Sequence, residues 1–168
     1  MFEFIQQHYE ILVFFILGLF LAISSFIDAW KREIPIFLCI PTILLITAVR
    51  YISKVNITEH ITVALVLGLL YLCQAMLFTG SGGDVLLMMV VGYGMGMTGS
   101  LFAIVFSVIP LLIYAIVYKI LHKNESLMKI SYPLAPCITI GCAVFFLLEQ
   151  SNIINLDLWG ILTNSIGR

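Results

Sequence analysis

Two carboxylates stand where hydrocarbon is expected. Asp28 closes a long apolar run, and Asp84 follows Gly80-Ser81-Gly82-Gly83 at the head of another. At membrane depth a carboxylate costs about 2.5–3.5 kcal/mol by insertion scales, so such a residue marks a functional site by default. Two carboxylates held close cannot both ionise readily and share one proton. One then takes a proton from a water while the other gives one to a carbonyl oxygen, which is the chemistry of an aspartic protease. The two titration steps belong to the pair and not to either residue.

Each residue alone also has a plain structural reading. Asp28, near Lys31 and Arg32, can simply mark where a helix leaves lipid. Asp84 can cap a helix, satisfying orphan N–H groups at the positive end of its dipole. The decision rests on the elements that position them.

The chain has 168 residues, 62% of them hydrophobic and 10% charged. A soluble domain averages about 45–50% apolar and about 25% charged, so these proportions indicate a protein embedded in the lipid bilayer. A net charge of -1 with eight Lys and Arg provides no field for a nucleic-acid backbone, which is excluded as a partner. With about 20 residues per span, there is room for five or six helices. The N-terminus carries Glu3 and Glu10 and no Lys or Arg before Lys31, unlike a signal peptide, and the first helix is read as retained.

The expected fold is all-α: one transmembrane peptidase domain over residues 1–168, with about six transmembrane helices, the fourth short, and a short interfacial C-terminal tail. The first helix covers residues 11–27. A second follows Ile34-Pro35, with proline suited to its first turn, and runs to Tyr51, with Pro41 a possible kink. Residues 53–60 are a polar loop, and the third helix covers 61–78. From Val85 to Lys119 the chain is apolar throughout; as one helix it would be about 50 Å long against hydrocarbon about 30 Å thick. It must break, and the glycines between Gly92 and Ser100 mark the place. Those glycines are also compatible with close helix packing. A fifth helix then covers 101–120 and a sixth 133–148. The tail from Ser151, with Trp159, lies along the interface.

Parity puts both aspartates on one face. The first helix ends there at Asp28, the second leaves, the third returns, and Asp84 starts the fourth. With a break near Gly96, Lys31, Arg32, Lys119, Lys123 and Lys129 share that face, against Arg50, Lys54 and Arg168 opposite. The positive-inside tendency then makes the aspartate face cytoplasmic.

Three segments carry a family resemblance. Asp28-Ala-Trp-Lys-Arg-Glu-Ile34-Pro35 resembles the first catalytic motif of the type IV prepilin peptidases, an Asp followed after five variable residues by Ile-Pro; Ile36 replaces the usual Asn. Gly80-Ser81-Gly82-Gly83-Asp84-Val85 is similar to the family's G-x-G-D-V-K segment, with Ser81 and Leu86 as departures. Pro133-Leu134-Ala135-Pro136-Cys137-Ile138-Thr139-Ile140-Gly141 resembles its P-F-G-P-F-L-A-L-G stretch, with Ala135 for glycine. The resemblance implies Asp28 and Asp84 as a catalytic dyad, supported by Ile34, Pro35, Gly82, Gly83, Pro133, Pro136 and Gly141. It implies a prepilin-like precursor as substrate, cut at the cytoplasmic face of the inner membrane of a prokaryote, after a short basic leader. The chain looks like the minimal form associated with tight-adherence (Flp-type) pili. It has no match to the cysteine-rich insert of longer members, so N-methyltransferase activity is not expected.

No cofactor and no metal are expected. His8, His60 and His122 are scattered over loops and termini, read as titrating in solvent, and Cys39, Cys73, Cys137 and Cys142 form no C-x-x-C pair and read as buried apolar side chains. Two other readings compete. A presenilin-like protease also pairs an Asp with a G-x-G-D, but Ile27 stands where that group has Tyr. A small cation- or proton-coupled carrier also uses membrane carboxylates, though nearer the midplane.

Overall fold

The structure, a computed structural model, describes residues 8–31, 34–77, 82–121 and 134–151. These form α1 (Tyr9–Lys31), α2 (Ile36–Ser53), α3 (Thr58–Leu77), α4 (Gly82–Leu121) and α5 (Leu134–Gln150). Among the described residues there is no strand. Lipid offers no hydrogen bonds, so backbone crossing it must satisfy its own polar groups, and apolar segments of this length do so as helices.

The first four helices are long and apolar enough to cross a membrane, whereas α5 has 17 residues and is shorter. The protein is a helical membrane protein. At most 28% of the most apolar stretch of any of the four is buried. Each therefore turns one stripe inward and the rest, including Phe15, Phe37, Leu69 and Ile116, to lipid. In α1 the inward stripe is Val13, Leu17, Phe20, Leu21, Ser24 and Asp28, a run dominated by three- and four-residue steps. Asp28 is thus the last member of the packing face, and the helix continues past it to Lys31.

Helix α4 is interrupted at Gly96, whose φ of 68° and ψ of -167° lie in a region that essentially only glycine adopts. Its two arms run in opposite directions. Residues 82–95 lie antiparallel to α3, with Gly68 against Met89 and Ala64 and Leu67 against Gly92. Residues 97–121 lie antiparallel to α5, with Phe145 against Gly99 and Phe102 and Gly141 against Ala103. Helix α5 in turn is antiparallel to α1, through the rings of Phe14 and Phe146 at one end and Asp28 and Ala135 at the other. The expected break is therefore present, in the middle of the glycine cluster. Gly96→Ala is expected to destabilise the protein by about 1–3 kcal/mol, since the new Cβ combines a forbidden φ with a 2.9 Å approach to Glu59 Oε1. Thermal unfolding in detergent measures this.

The core runs along the bundle axis, where Leu17, Leu21, Ile34, Cys39, Leu67, Leu87, Met88, Ala135 and Ile138 belong to one cluster. Helix α2 ends at Lys54 in the left-handed region (φ 56°), with Lys54 N–H donating to the Tyr51 carbonyl and Val55 N–H to that of Arg50. Lys54→Gly is expected to leave the cap in place and raise stability by up to about 1 kcal/mol, because a Cβ is disfavoured there. A lower melting temperature would contradict it.

Some boundaries depart from expectation. Thr58, Glu59 and His60 belong to the first turn of α3, not to a loop, with Thr58 N–H bonded to Asn56 Oδ1 at 3.0 Å. Cys73 is exposed, while Cys39, Cys137 and Cys142 are buried. The C-terminal tail beyond Ser151, with Trp159, and the loop carrying Lys123 and Lys129 lie outside the described residues.

Candidate active site

Asp28 is 6% exposed, on a helix whose neighbouring Ala29 and Trp30 face outward. Its carboxylate accepts a hydrogen bond from the backbone N–H of Ala135 at 3.0 Å. Ala135 sits in the first turn of α5, where N–H groups lack intrahelical partners and the dipole is positive, so the arrangement satisfies a donor and holds an anion together. Thr139 stiffens that turn. Its Oγ1 lies 2.6 Å from Ser25 Oγ and donates to the Ala135 carbonyl at 2.8 Å, tying α5 to α1 one turn from Asp28. Neither hydroxyl was singled out from sequence; the signal was two polar side chains in otherwise apolar runs.

Asp84 lies in the first turn of α4, partly buried after the buried Gly83, and Tyr71 of α3 is within its electrostatic reach. Both aspartates lie at one end of the bundle. Arg50 at the C-terminal end of α2 meets Tyr93 and Gly94, so the N-terminal end of α2 faces the start of α4, and Asp28 precedes α2 by a short connection. One core cluster joins Leu21 and Ile34 on the Asp28 side to Leu87 and Met88 on the Asp84 side.

The remaining motif residues separate by position. Ile34 is buried in that cluster. Pro35 precedes the first turn of α2, its carbonyl accepting from Leu38 N–H at 3.0 Å. Pro136 lies in the first turn of α5, beside the Ala135 donor. Gly82 is exposed, with open space where a Cβ would stand. Gly141 sits away from the aspartates, where α5 presses on the second arm of α4. Pro133 lies outside the described residues.

An apolar groove of about 880 Å³ lies between the end of α1 and the start of α2, lined by Phe26, Ile27, Trp30, Ile34 and Phe37. The opposite end of the bundle is polar. A cavity of about 860 Å³ there is bordered by Tyr9, Glu10, Arg50, Glu59, His60 and Glu149. Arg50 is 3% exposed and bonded to backbone, and His60 Nδ1 is buried with no hydrogen-bond partner among the described residues. The reading of His60 as a solvent-exposed loop residue is therefore corrected: it packs within the bundle beside the break in α4.

The described helices thus form a membrane bundle with a buried, hydrogen-bonded carboxylate at one end and a second carboxylate at a glycine-led helix start. Residues 15–116, well over half of the chain and inclusive of both aspartates, match the type IV leader peptidase family, and the protein belongs to that family. Neither the curated proteins nor the solved structures contain a significant match to the chain. The protein is a membrane-embedded protease of the leader-peptidase kind.

Proposed function

We propose that the protein is an aspartic endopeptidase that removes the leader peptide of a type IV pilin-like precursor, with Asp28 and Asp84 activating the attacking water. The observation that carries this reading is the place of Asp28 on the buried stripe of α1, held by Ala135 N–H. An acid that merely marks the lipid boundary would point outward, as Trp30 and Lys31 do.

In the reaction one carboxylate accepts a proton from water as its oxygen attacks the scissile carbonyl, and the other, protonated, donates to that carbonyl oxygen. The resulting tetrahedral diol collapses as a proton passes to the leaving nitrogen. The Ala135 donor fixes the orientation of one carboxylate, and the first turn of α4 fixes the other. The apolar groove between the end of α1 and the start of α2 is suited to an apolar stretch of the precursor.

Counting the two arms of α4 separately, the chain crosses the membrane six times, as one peptidase domain. Lys31 and Lys119 lie at the aspartate end and Arg50 and Lys54 at the other. With Arg32, Lys123 and Lys129 added from the sequence, the positive-inside tendency makes the aspartate end cytoplasmic, in the inner membrane of a prokaryote.

The test is co-expression of the protein with a pilin-like precursor bearing a short basic leader, followed by gel shift and mass spectrometry of the new N-terminus. Loss of the leader at a single peptide bond is the expected result. Intact precursor across several such substrates, with the peptidase present in the membrane fraction, would count against the proposal.

A further inference from the structure

Breaking a helix inside a membrane leaves carbonyls before the break and N–H groups after it without intrahelical partners, and neighbouring side chains must supply them. Arg50 of α2 supplies the first set. Its guanidinium donates from Nη1 to the Tyr93 carbonyl and from Nη2 to that of Gly94 at 2.8 Å. Glu59 of α3 supplies the other side, its Oε1 accepting from Met97 N–H at 3.2 Å. The guanidinium also lies 5.2 Å from the ring centroid of Tyr93, whose hydroxyl is 2.7 Å from Thr47 Oγ1. Helices α2 and α3 and both arms of α4 thus meet in one joint at Gly96, at the end of the bundle remote from the aspartates.

We propose that Arg50 and Glu59 are positioning residues for Asp84, clamping the pivot of the helix arm that carries it; this rests on the two-aspartate reading above. Leverage gives the reason. The arm from Asp84 to Gly96 is about 18 Å of helix, so a rotation of about 10° at the break moves Asp84 by about 3 Å. A misplacement of about 1 Å already costs on the order of a hundredfold in rate where geometry matters. A glycine with an open φ cannot resist such rotation, whereas a forked guanidinium on two successive carbonyls fixes both direction and roll. Lysine, a point charge on a flexible stem, cannot hold two carbonyls in that way. Two charged residues on the face opposite the chemistry therefore set the dyad's separation.

The test compares Arg50→Lys, Glu59→Ala and Glu59→Gln in the full-length protein. Arg50→Lys and Glu59→Ala are expected to lower kcat for leader removal about tenfold or more, with KM for the precursor changing less than about twofold. Glu59→Gln retains an acceptor for Met97 N–H and is expected to stay near wild type. Lys54→Asn, which removes a cation from the same face while tolerating the left-handed φ, is expected to have no effect. The geometric readout is a pair of spin labels at Trp30→Cys and Gly82→Cys, both exposed positions, with the native cysteines replaced. Arg50→Lys should shift or broaden their distance distribution by about 3 Å, the displacement given by the lever. Unchanged kcat, or lowered kcat with an unchanged label distance, would overturn the inference. Failure of the dyad reading is distinguishable, because Asp28→Asn or Asp84→Asn would then still cleave while the label distance still reports on the joint.

Discussion

Asp28→Asn and Asp84→Asn are each expected to reduce leader cleavage by about 10⁴-fold or more, the scale seen when one member of a catalytic unit is removed. That corresponds to about 5.5 kcal/mol of lost transition-state stabilisation. The amide has nearly the size and shape of the carboxylate, but it neither takes a proton from water nor carries one to the carbonyl oxygen. The fold should survive. In Asp28→Asn the amide oxygen can still accept from Ala135 N–H, and removing a buried charge relieves a desolvation cost, so this variant is expected to melt at or above the wild-type temperature. Asp28→Ala leaves the Ala135 donor without that acceptor and should be less stable by about 1–3 kcal/mol. An inactive but stabilised Asp28→Asn separates a catalytic carboxylate from a structural one. Wild-type cleavage by both single variants would remove the aspartates from the mechanism.

Gly141→Ala is the second large effect, and it acts through packing. A Cβ at Gly141 would overlap the Ala103 carbonyl oxygen and come within 3.0 Å of Ser107 N, both backbone atoms of α4. No side chain can swing aside to make room, so α5 must move away from α4. Overpacking of this kind costs about 1–3 kcal/mol and occasionally more, and here the obstacle is a helix backbone. Moving α5 also draws Ala135 away from Asp28, since Ala135 and Gly141 lie on the same short helix. Gly141→Ala is therefore expected to lower both the melting temperature and the cleavage rate with the dyad chemically intact. The contrasting substitution is Gly18→Ala, where nothing lies within 4 Å of the new Cβ and stability should hold or rise slightly. Equal melting of Gly141→Ala and wild type would refute the packing account. The third sequence motif thus divides its work: its start donates to Asp28, and its final glycine lets α5 approach α4.

Much of the frame is legible without coordinates. An apolar run too long for one crossing, with glycines in its middle, requires a break, and Gly96 provides it. Helix parity places Asp28 and Asp84 at one end, and the contacts of α2 with α4 agree. The inward face of each helix is another matter. Segments that meet lipid on one side and protein on the other are apolar on both, so the periodicity that reveals a buried face in a soluble helix is absent. For this reason Asp28 reads from sequence as a charge at a helix end, although it continues the stripe of Val13, Leu17, Leu21 and Ser24. Arg50 and Glu59 were equally hidden: one read as a topological charge and the other as part of a loop. Only the proximity of Gly96 to both gives them a purpose.

Taken alone, the amino-acid sequence determined the class of the protein, the need for a broken helix and the common end of the two acids, because these follow from hydrophobic length and from counting crossings. Tertiary structure decided which atoms hold those acids. The Ala135 N–H on Asp28, the Gly141 contact with Ala103 and the Arg50 and Glu59 joint at Gly96 connect residues from 38 to 107 positions apart, and no local pattern encodes such pairings in a chain whose helices are apolar on every side.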